Sequence, residues 1–211
     1  MRVLVACECS GVVRDAFARR GHVAFSCDLV GNTGRHYQCD VRHLLAHQWD
    51  LMIGHPECRY LSNSGVLRLY KDGKKTNGRD EERWAKMQEA AKFFKELMEC
   101  GIPKIALENP VMHGYAKTLI GADYVQSFQP YEFGADASKR TCLWLKGLPP
   151  LWKRPSQRFP GRWVMCNGKL VERWSNQTDG GQNRLGPSPE RSAIRARTYD
   201  GVANAMAAQW G

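Results

Sequence analysis

At five places the chain puts polar or reactive side chains directly after an apolar run. These are Cys7 to Gly11, Asp28, Asp40, His55 to Ser62, and Glu108 to Pro110. Chance would place one or two so. Five suggest strands whose carboxyl ends share a ligand, as in open parallel sheets. Cys58 is a candidate nucleophile, because a thiolate attacks electron-poor carbon directly; taken alone, it would more often be an inert buried thiol. Glu108 is either a general acid or a plain strand-end carboxylate, and Asp28 and Asp40 are either ligand-binding acids or turn and cap residues. His55 and His113 stand equally as hydrogen-bonding struts or as actors. Cys39, His43, His55 and Cys58 have C-x3-H and H-x2-C spacings that could hold zinc, although strand ends explain them better. His55 and Glu57 form the H-x-E of zinc nucleobase deaminases, which also need a downstream P-C-x-x-C. The chain has no C-x-x-C.

The elements that must position these residues alternate. Arg2 to Cys7 reads as a strand, Gly11 to Arg20 as a helix, His22 to Asp28 as a second strand, and a short third strand ends at Cys39. A helical turn is expected near Val41 to His47 and a buried strand over Asp50 to Gly54. Leu61 to Asp80, with three glycines and Lys71, Lys74, Lys75 and Arg79, reads as a basic, mobile loop. Helical spacing from Asp80 to Cys100 sets Trp84, Met87, Ala91, Phe94 and Met98 on one face, a core stripe. Pro103 to Glu108 gives a fifth strand, and Tyr124 to Phe128 and Thr141 to Lys146 the last two. From Leu148 to about Pro189, prolines, glycines and basic residues predict a small irregular subdomain, and Tyr199 to Trp210 regains helical character. The fold class expected is α/β with a parallel sheet covered on both faces.

The chain has 211 residues, enough for one domain with a sizeable core. No run is long and apolar enough to span a bilayer, and Met1 leads into a strand without a signal-peptide layout. A soluble, cytoplasmic protein with reduced thiols is expected, since the eight cysteines are scattered. The net charge of +10 is segregated. Lys139 to Arg197 carries 13 basic residues against three acids, while the rest balances at 18 against 18. That segment also holds Trp144, Trp152, Trp163 and Trp174, four of the seven tryptophans. Basic residues interleaved with aromatics suit a polyanion with stackable bases, so nucleic acid is the expected partner.

D-L-M-I-G-H-P-E-C-R-Y-L-S-N-S-G (Asp50 to Gly65), then E-N-P, then K-R-T-C-L-W-L, follow the motif order of the DNA (cytosine-5)-methyltransferases, which the chain resembles. A-C-E-x-S-G, E-N-P-V-M-H-G-Y-A, K-R-T-C-L-W-L-K-G-L-P-P-L and A-M-A-x-Q-W-G are similar to the small phage and prophage type. The resemblance covers nearly the whole chain. It implies a Rossmann-like S-adenosylmethionine-dependent methyltransferase fold with a small basic insert. Residues 1–147 would form the catalytic domain, 148–190 the target-recognition segment, and 191–211 a helix returning to that domain.

The resemblance implies that Cys58 attacks carbon 6 of a cytosine flipped out of double-stranded DNA and that carbon 5 takes the methyl group of S-adenosylmethionine. Glu108 would donate to ring nitrogen 3, which calls for a carboxyl kept partly protonated by burial. Asn109 would hold that carboxyl, and Arg140 would help position the base. The methyl donor would lie over Cys7, Glu8, Cys9, Ser10 and Gly11 at a helix N-terminus, with Asp28 at the ribose and Asp40 with Val41 at the adenine. Pro56 and Asn204 complete the donor set. DNA would meet Arg59, Ser62, Lys71, Lys74, Lys75 and Arg79 from the loop, and Arg154, Arg158, Arg162 and Arg173 from the insert.

The chain departs from the family pattern in three ways. Glu57 replaces the proline before the cysteine and Arg59 follows it; Cys142 stands in place of a second arginine; and the recognition region is only about 40 residues long. A carboxylate beside the thiol opposes thiolate formation. The alternative is therefore a catalytically impaired DNA-binding protein that keeps the fold; modification of RNA or a free nucleotide is a further reading, and the basic segment speaks against the latter.

Overall fold

The computed structural model describes residues 1–211, the side chain of Ser192 excepted. β1 (Arg2–Ala6) sits at the centre because V-L-V-A is buried on both faces: Val3 and Val5 point to one side, Leu4 and Ala6 to the other. Around it lie β2 (Val23–Asp28), β3 (His36–Gln38), β4 (Leu51–Gly54), β5 (Lys104–Asn109), β6 (Gln126–Phe128) and β7 (Thr141–Lys146), in the order β3-β2-β1-β4-β5-β7-β6. The five strands from β3 to β5 pair parallel, and β7 runs antiparallel to both β5 and β6. This is a Rossmann-like sheet that starts as 3-2-1-4-5 and closes on an antiparallel edge, the architecture the motifs implied.

Helices cover both faces. α1 (Val12–Ala18) and α5 (Asp200–Trp210) bury Phe17, Val202, Met206 and Trp210 against Val3, Val5 and Ile53. α2 (Glu81–Glu99) and α3 (Gly114–Ile120) lie on the opposite face. The stripe of α2 is Trp84, Met87, Ala91, Phe94 and Leu97. Leu97 rather than Met98 completes it, because three and four residues beyond Phe94 both fall on the packed side and the shorter step reaches the sheet. α3 was not expected from the sequence; His113 caps its start and Gly121, at φ 75°, ends it.

Two further expectations are corrected. The segment from Leu61 to Asp80 is a chain of short 3-10 turns (Asn63–Leu69, Lys71–Gly73, Lys75–Asn77). Buried Leu69 anchors it, its carbonyl accepting from Trp84 Nε1 at 2.8 Å and from Asp80 N at 3.0 Å. The insert also carries regular structure: β8 (Arg162–Cys166) and β9 (Lys169–Arg173) form a hairpin about Asn167 and Gly168, at φ 51° and 73°. Asn-Gly is the dipeptide that adopts left-handed φ at both turn positions most readily, so N-G was the signal for this hairpin. α4 (Arg191–Ala196) precedes α5. No helix among the described residues is long and apolar enough to cross a membrane.

Candidate active site

β4 and β5 lie side by side and parallel, with Gly54 opposite Leu107, so the segments that follow them leave the sheet at the same edge. Those segments are stitched together. Asn109, 1% exposed, donates from Nδ2 to the Pro56 carbonyl at 3.0 Å; the Cys58 carbonyl accepts from Leu61 N and Ser62 N at 3.1 and 2.9 Å. Asn63 N donates to Val111 O at 2.8 Å and His113 N to Leu61 O at 3.1 Å. His113 is a strut: Nδ1 accepts from Ala116 N at 3.1 Å, so Nε2–H donates to the Tyr60 carbonyl at 2.9 Å. The turn bearing Cys58 is thus held by the last residue of β5 and by residues that follow it.

Glu108 and His55 form a buried pair. His55 Nδ1 and Glu108 Oε2 are 2.8 Å apart, and each side chain is 10% exposed. Burial pushes the Glu108 carboxyl up, but the Lys139 charge and the hydrogen bond and charge of His55 outweigh it and bring the carboxyl down to about 2. Burial likewise works against charge on His55, and the Glu108 hydrogen bond and charge, with help from Glu8, overcome it and raise its pKa. The expectation of a partly protonated Glu108 is therefore corrected: the carboxyl is ionised, because a partner imidazole and a cation override desolvation. Two polar atoms beside this pair, His55 Nε2 and Asn109 Oδ1, are buried without a hydrogen-bond partner. Leaving such an atom unpaired costs about 1–3 kcal/mol, and sites built to receive a ligand are where that cost is tolerated.

Cys58 is an exposed residue on this turn. Desolvation of its thiol raises the pKa, Lys139 lowers it, Glu108 raises it, and Glu57 adds the smallest increase. Arg59 Nε lies 3.2 Å from Glu57 Oε1, so the two departures beside the cysteine pair with each other. Lys139 is a cation felt at both Cys58 and Glu108 that the sequence did not single out. It sits next to Arg140, which is exposed and whose charge falls on Cys142 rather than on Cys58. Position beside a motif arginine, where the chain turns into β7, was the only signal for it. Replacing Lys139 with Met should raise the Cys58 pKa and slow its alkylation by iodoacetamide at pH 7.5 about three- to tenfold, whereas Arg140→Met should leave the pH profile of alkylation in place.

The ends of β1, β2 and β3 meet around Cys7, whose left-handed backbone (φ 57°) turns the chain out of β1. Burial and the charges of Asp28 and Asp40 push its thiol up to about 12, which places all three together. Asp28 uses Oδ1 to accept from Val30 N at 3.0 Å, and Leu29 and Val30 beside it are exposed. Asp40 is the N-cap of a 3-10 turn and pairs with Arg42 at 3.0 Å; Val41 is core. The first N–H groups of α1 are taken by side chains of the turn before it. Glu8 Oε1 accepts from Val13 N at 2.8 Å and Oε2 from Arg14 N at 3.3 Å, while Ser10 Oγ takes Val12 N at 3.4 Å. Glu8 and Ser10 are thus occupied as caps, and Cys9 and Gly11 complete the turn. Asn204 is not brought to this edge; its Oδ1 accepts from Arg19 at 3.1 Å, beyond the far end of α1.

The basic residues divide by partner. Lys71, Lys74 and Lys75 are exposed, and Arg79 stacks over Trp84 at 4.1 Å. Arg154 lies over Trp152, Arg158 over the stacked Tyr131–Trp174 pair, and Ser62 is buried against Ser64. Arg158 pairs with Glu172 and Arg162 with Asp179, while Arg173 donates to the Glu172 and Asp179 carbonyls. Arg162, Arg173 and Arg184 line a concavity of about 760 Å³ in the insert, remote in sequence from the strand-end cluster. The zinc arrangement does not assemble. Among the described residues no three His, Cys, Asp or Glu side chains are arranged so that they could hold a metal ion, and Cys39 Sγ lies 3.8 Å from Cys27 Sγ.

Fold and site together define a Rossmann-like α/β domain with a thiol-bearing turn locked to a carboxylate–imidazole pair at the carboxyl ends of its strands. No protein-family model and no curated protein matches the chain. Among solved structures, a protein encoded within an Escherichia coli prophage and described as a DNA modification methyltransferase is similar at 16% identity and a TM-score of 0.42, over 69% of this chain and 46% of that one. A methyltransferase of Entamoeba histolytica is similar at 12% identity and a TM-score of 0.42, over 71% of this chain and 53% of that one. The match spans about half the length of either protein.

Proposed function

We propose that this protein methylates carbon 5 of cytosine in DNA, with S-adenosylmethionine as methyl donor and Cys58 as transient nucleophile. The observation that carries the reading is the tie between the Cys58 turn and the Glu108–Asn109 strand end through the Asn109 to Pro56 hydrogen bond. It holds a thiol and a buried proton-handling pair at one sheet edge, which is what attack on a pyrimidine ring requires.

Carbon 5 of cytosine is a poor nucleophile until carbon 6 is attacked. As the Cys58 thiolate forms the sulfur–carbon 6 bond, the ring electrons shift so that nitrogen 3 takes up a proton and carbon 5 becomes enamine-like. Lys139 favours the thiolate. Asn109 holds the turn to the strand end that carries Glu108. After carbon 5 accepts the methyl group and loses its proton to a solvent base, the sulfur–carbon bond breaks, the thiolate returns and nitrogen 3 gives up the proton it had taken.

The residues at β1, β2 and β3 suit the donor. Asp28 has an oxygen to spare beside the exposed apolar Leu29, a pairing that fits a ribose joined to a flat base. Asp28 would hold the ribose and Cys9 would face the bound molecule from the β1 turn. When bound there, S-adenosylmethionine supplies an electrophilic methyl group.

DNA containing 5-fluorocytosine tests the reading, since carbon–fluorine cleavage cannot replace proton loss and the adduct is trapped. With S-adenosylmethionine, wild-type protein should give a denaturation-resistant protein–DNA adduct and Cys58→Ser none. Donor and DNA binding without an adduct would leave the DNA-binding alternative standing, and adduct on RNA alone would move the substrate to RNA.

A further inference from the structure

His55 precedes the cysteine by three residues, and its place in the fold gives it a task of its own. It is buried among charged groups from three other segments: Glu108 at the end of β5, Glu8 after β1, and Lys139 before β7. One ring nitrogen faces Glu108 Oε2 at 2.8 Å; the other is buried with no partner. A neutral strut would use both nitrogens, as His113 does. The chemistry at nitrogen 3 also needs a proton, and an ionised Glu108 has none of its own.

We propose that His55 and Glu108 form a single proton-holding unit, in which His55 stores the proton that Glu108 passes to nitrogen 3 of the target base. The inference rests on the Cys58 reading and deepens it. In the resting protein the imidazolium donates from Nδ1 to Oε2. As the sulfur–carbon 6 bond forms and electron density arrives at nitrogen 3, one proton crosses from Nδ1 to the carboxylate and one leaves the carboxyl for the base. His55 ends neutral, Glu108 ends ionised as it began, and nitrogen 3 carries the proton. Loss of that proton when the thiolate departs resets the pair. The raised pKa of His55 and the lowered pKa of Glu108 agree with this starting state. Glu8 adds to the proton's hold on His55 and Lys139 opposes it.

The test has two arms on the full chain. Nitrogen-15 NMR of histidine-labelled protein, with the His55 signal assigned from His55→Asn or, should that variant not fold, from its shift in Glu108→Gln, should show both ring nitrogens protonated at pH 7.5. In Glu108→Gln, burial is left unopposed by the carboxylate and His55 should become neutral. In the second arm, adduct formation on 5-fluorocytosine DNA should fall as pH rises through the His55 midpoint seen by NMR. His55→Asn should slow it about 10- to 100-fold and remove that limb, leaving the thiol ionisation alone. A neutral His55 at pH 7.5 overturns the proposal, as does a uniform loss in His55→Asn with the pH profile unchanged. A protonated His55 in a protein that forms no adduct overturns the Cys58 reading and, with it, the role of the proton store; the NMR signal tells that failure from the other two.

Discussion

Glu108→Gln should slow trapping of 5-fluorocytosine DNA by about 10²- to 10⁴-fold while making Cys58 easier to alkylate. The opposite signs follow from one charge. Glu108 is held down to about 2, so it is ionised at every pH where the protein would be assayed, and its negative charge raises the pKa of the nearby thiol. Glutamine removes that charge, and although His55 gives up its proton with it, Glu108 rather than His55 is the charge felt at Cys58, so the thiolate fraction at neutral pH grows and iodoacetamide reacts about two- to fivefold faster. On the proposed mechanism the same change removes the group that delivers a proton to the base, so the more nucleophilic thiol would attack a ring that cannot accept electrons at nitrogen 3. A parallel fall in both rates would mean that Glu108 only shapes the turn. A parallel rise would remove it from the chemistry altogether.

Phe94→Ala should destabilise the fold by about 3–5 kcal/mol, a large share of the roughly 5–15 kcal/mol by which domains are stable. Phe94 is fully buried on α2 and meets the Trp144 ring edge-on at a centroid distance of 5.1 Å. Trp144 lies on β7 opposite Leu107 of β5, one residue before Glu108. The cavity left by the substitution therefore opens behind the strand that carries Glu108. Urea denaturation should show a lower midpoint with an unchanged slope. A loss below about 1 kcal/mol would mean that the helix is not packed on the sheet through this side chain.

The sheet was legible because its strands are buried on both faces: V-L-V-A, L-M-I-G and K-I-A-L are near-continuous apolar runs, and a polar residue ends each. The long α2 was legible for the same reason, since a stripe at helical spacing depends on sequence alone. The insert was harder to read because its hairpin has little core; Trp163, Met165 and Leu170 stay 62–68% exposed, so alternation gave no inward face to recognise. α3 escaped notice because its start is capped by His113, a residue whose capping depends on a partner carbonyl at Tyr60.

The sequence by itself determined which residues could act: a cysteine, a Glu-Asn pair and acids at strand ends, all placed by the one-dimensional rule that an apolar run is followed by a turn. Only the tertiary structure decided their charge states and partners. Whether Glu108 is protonated depends on His55, 53 residues earlier, and on Lys139 from another loop, because electrostatic energy depends on distance and burial rather than on order along the chain. The same reason gives Glu8 a hydrogen bond from the first turn of α1, makes Lys139 a cation felt at Cys58, and pairs Glu57 with Arg59.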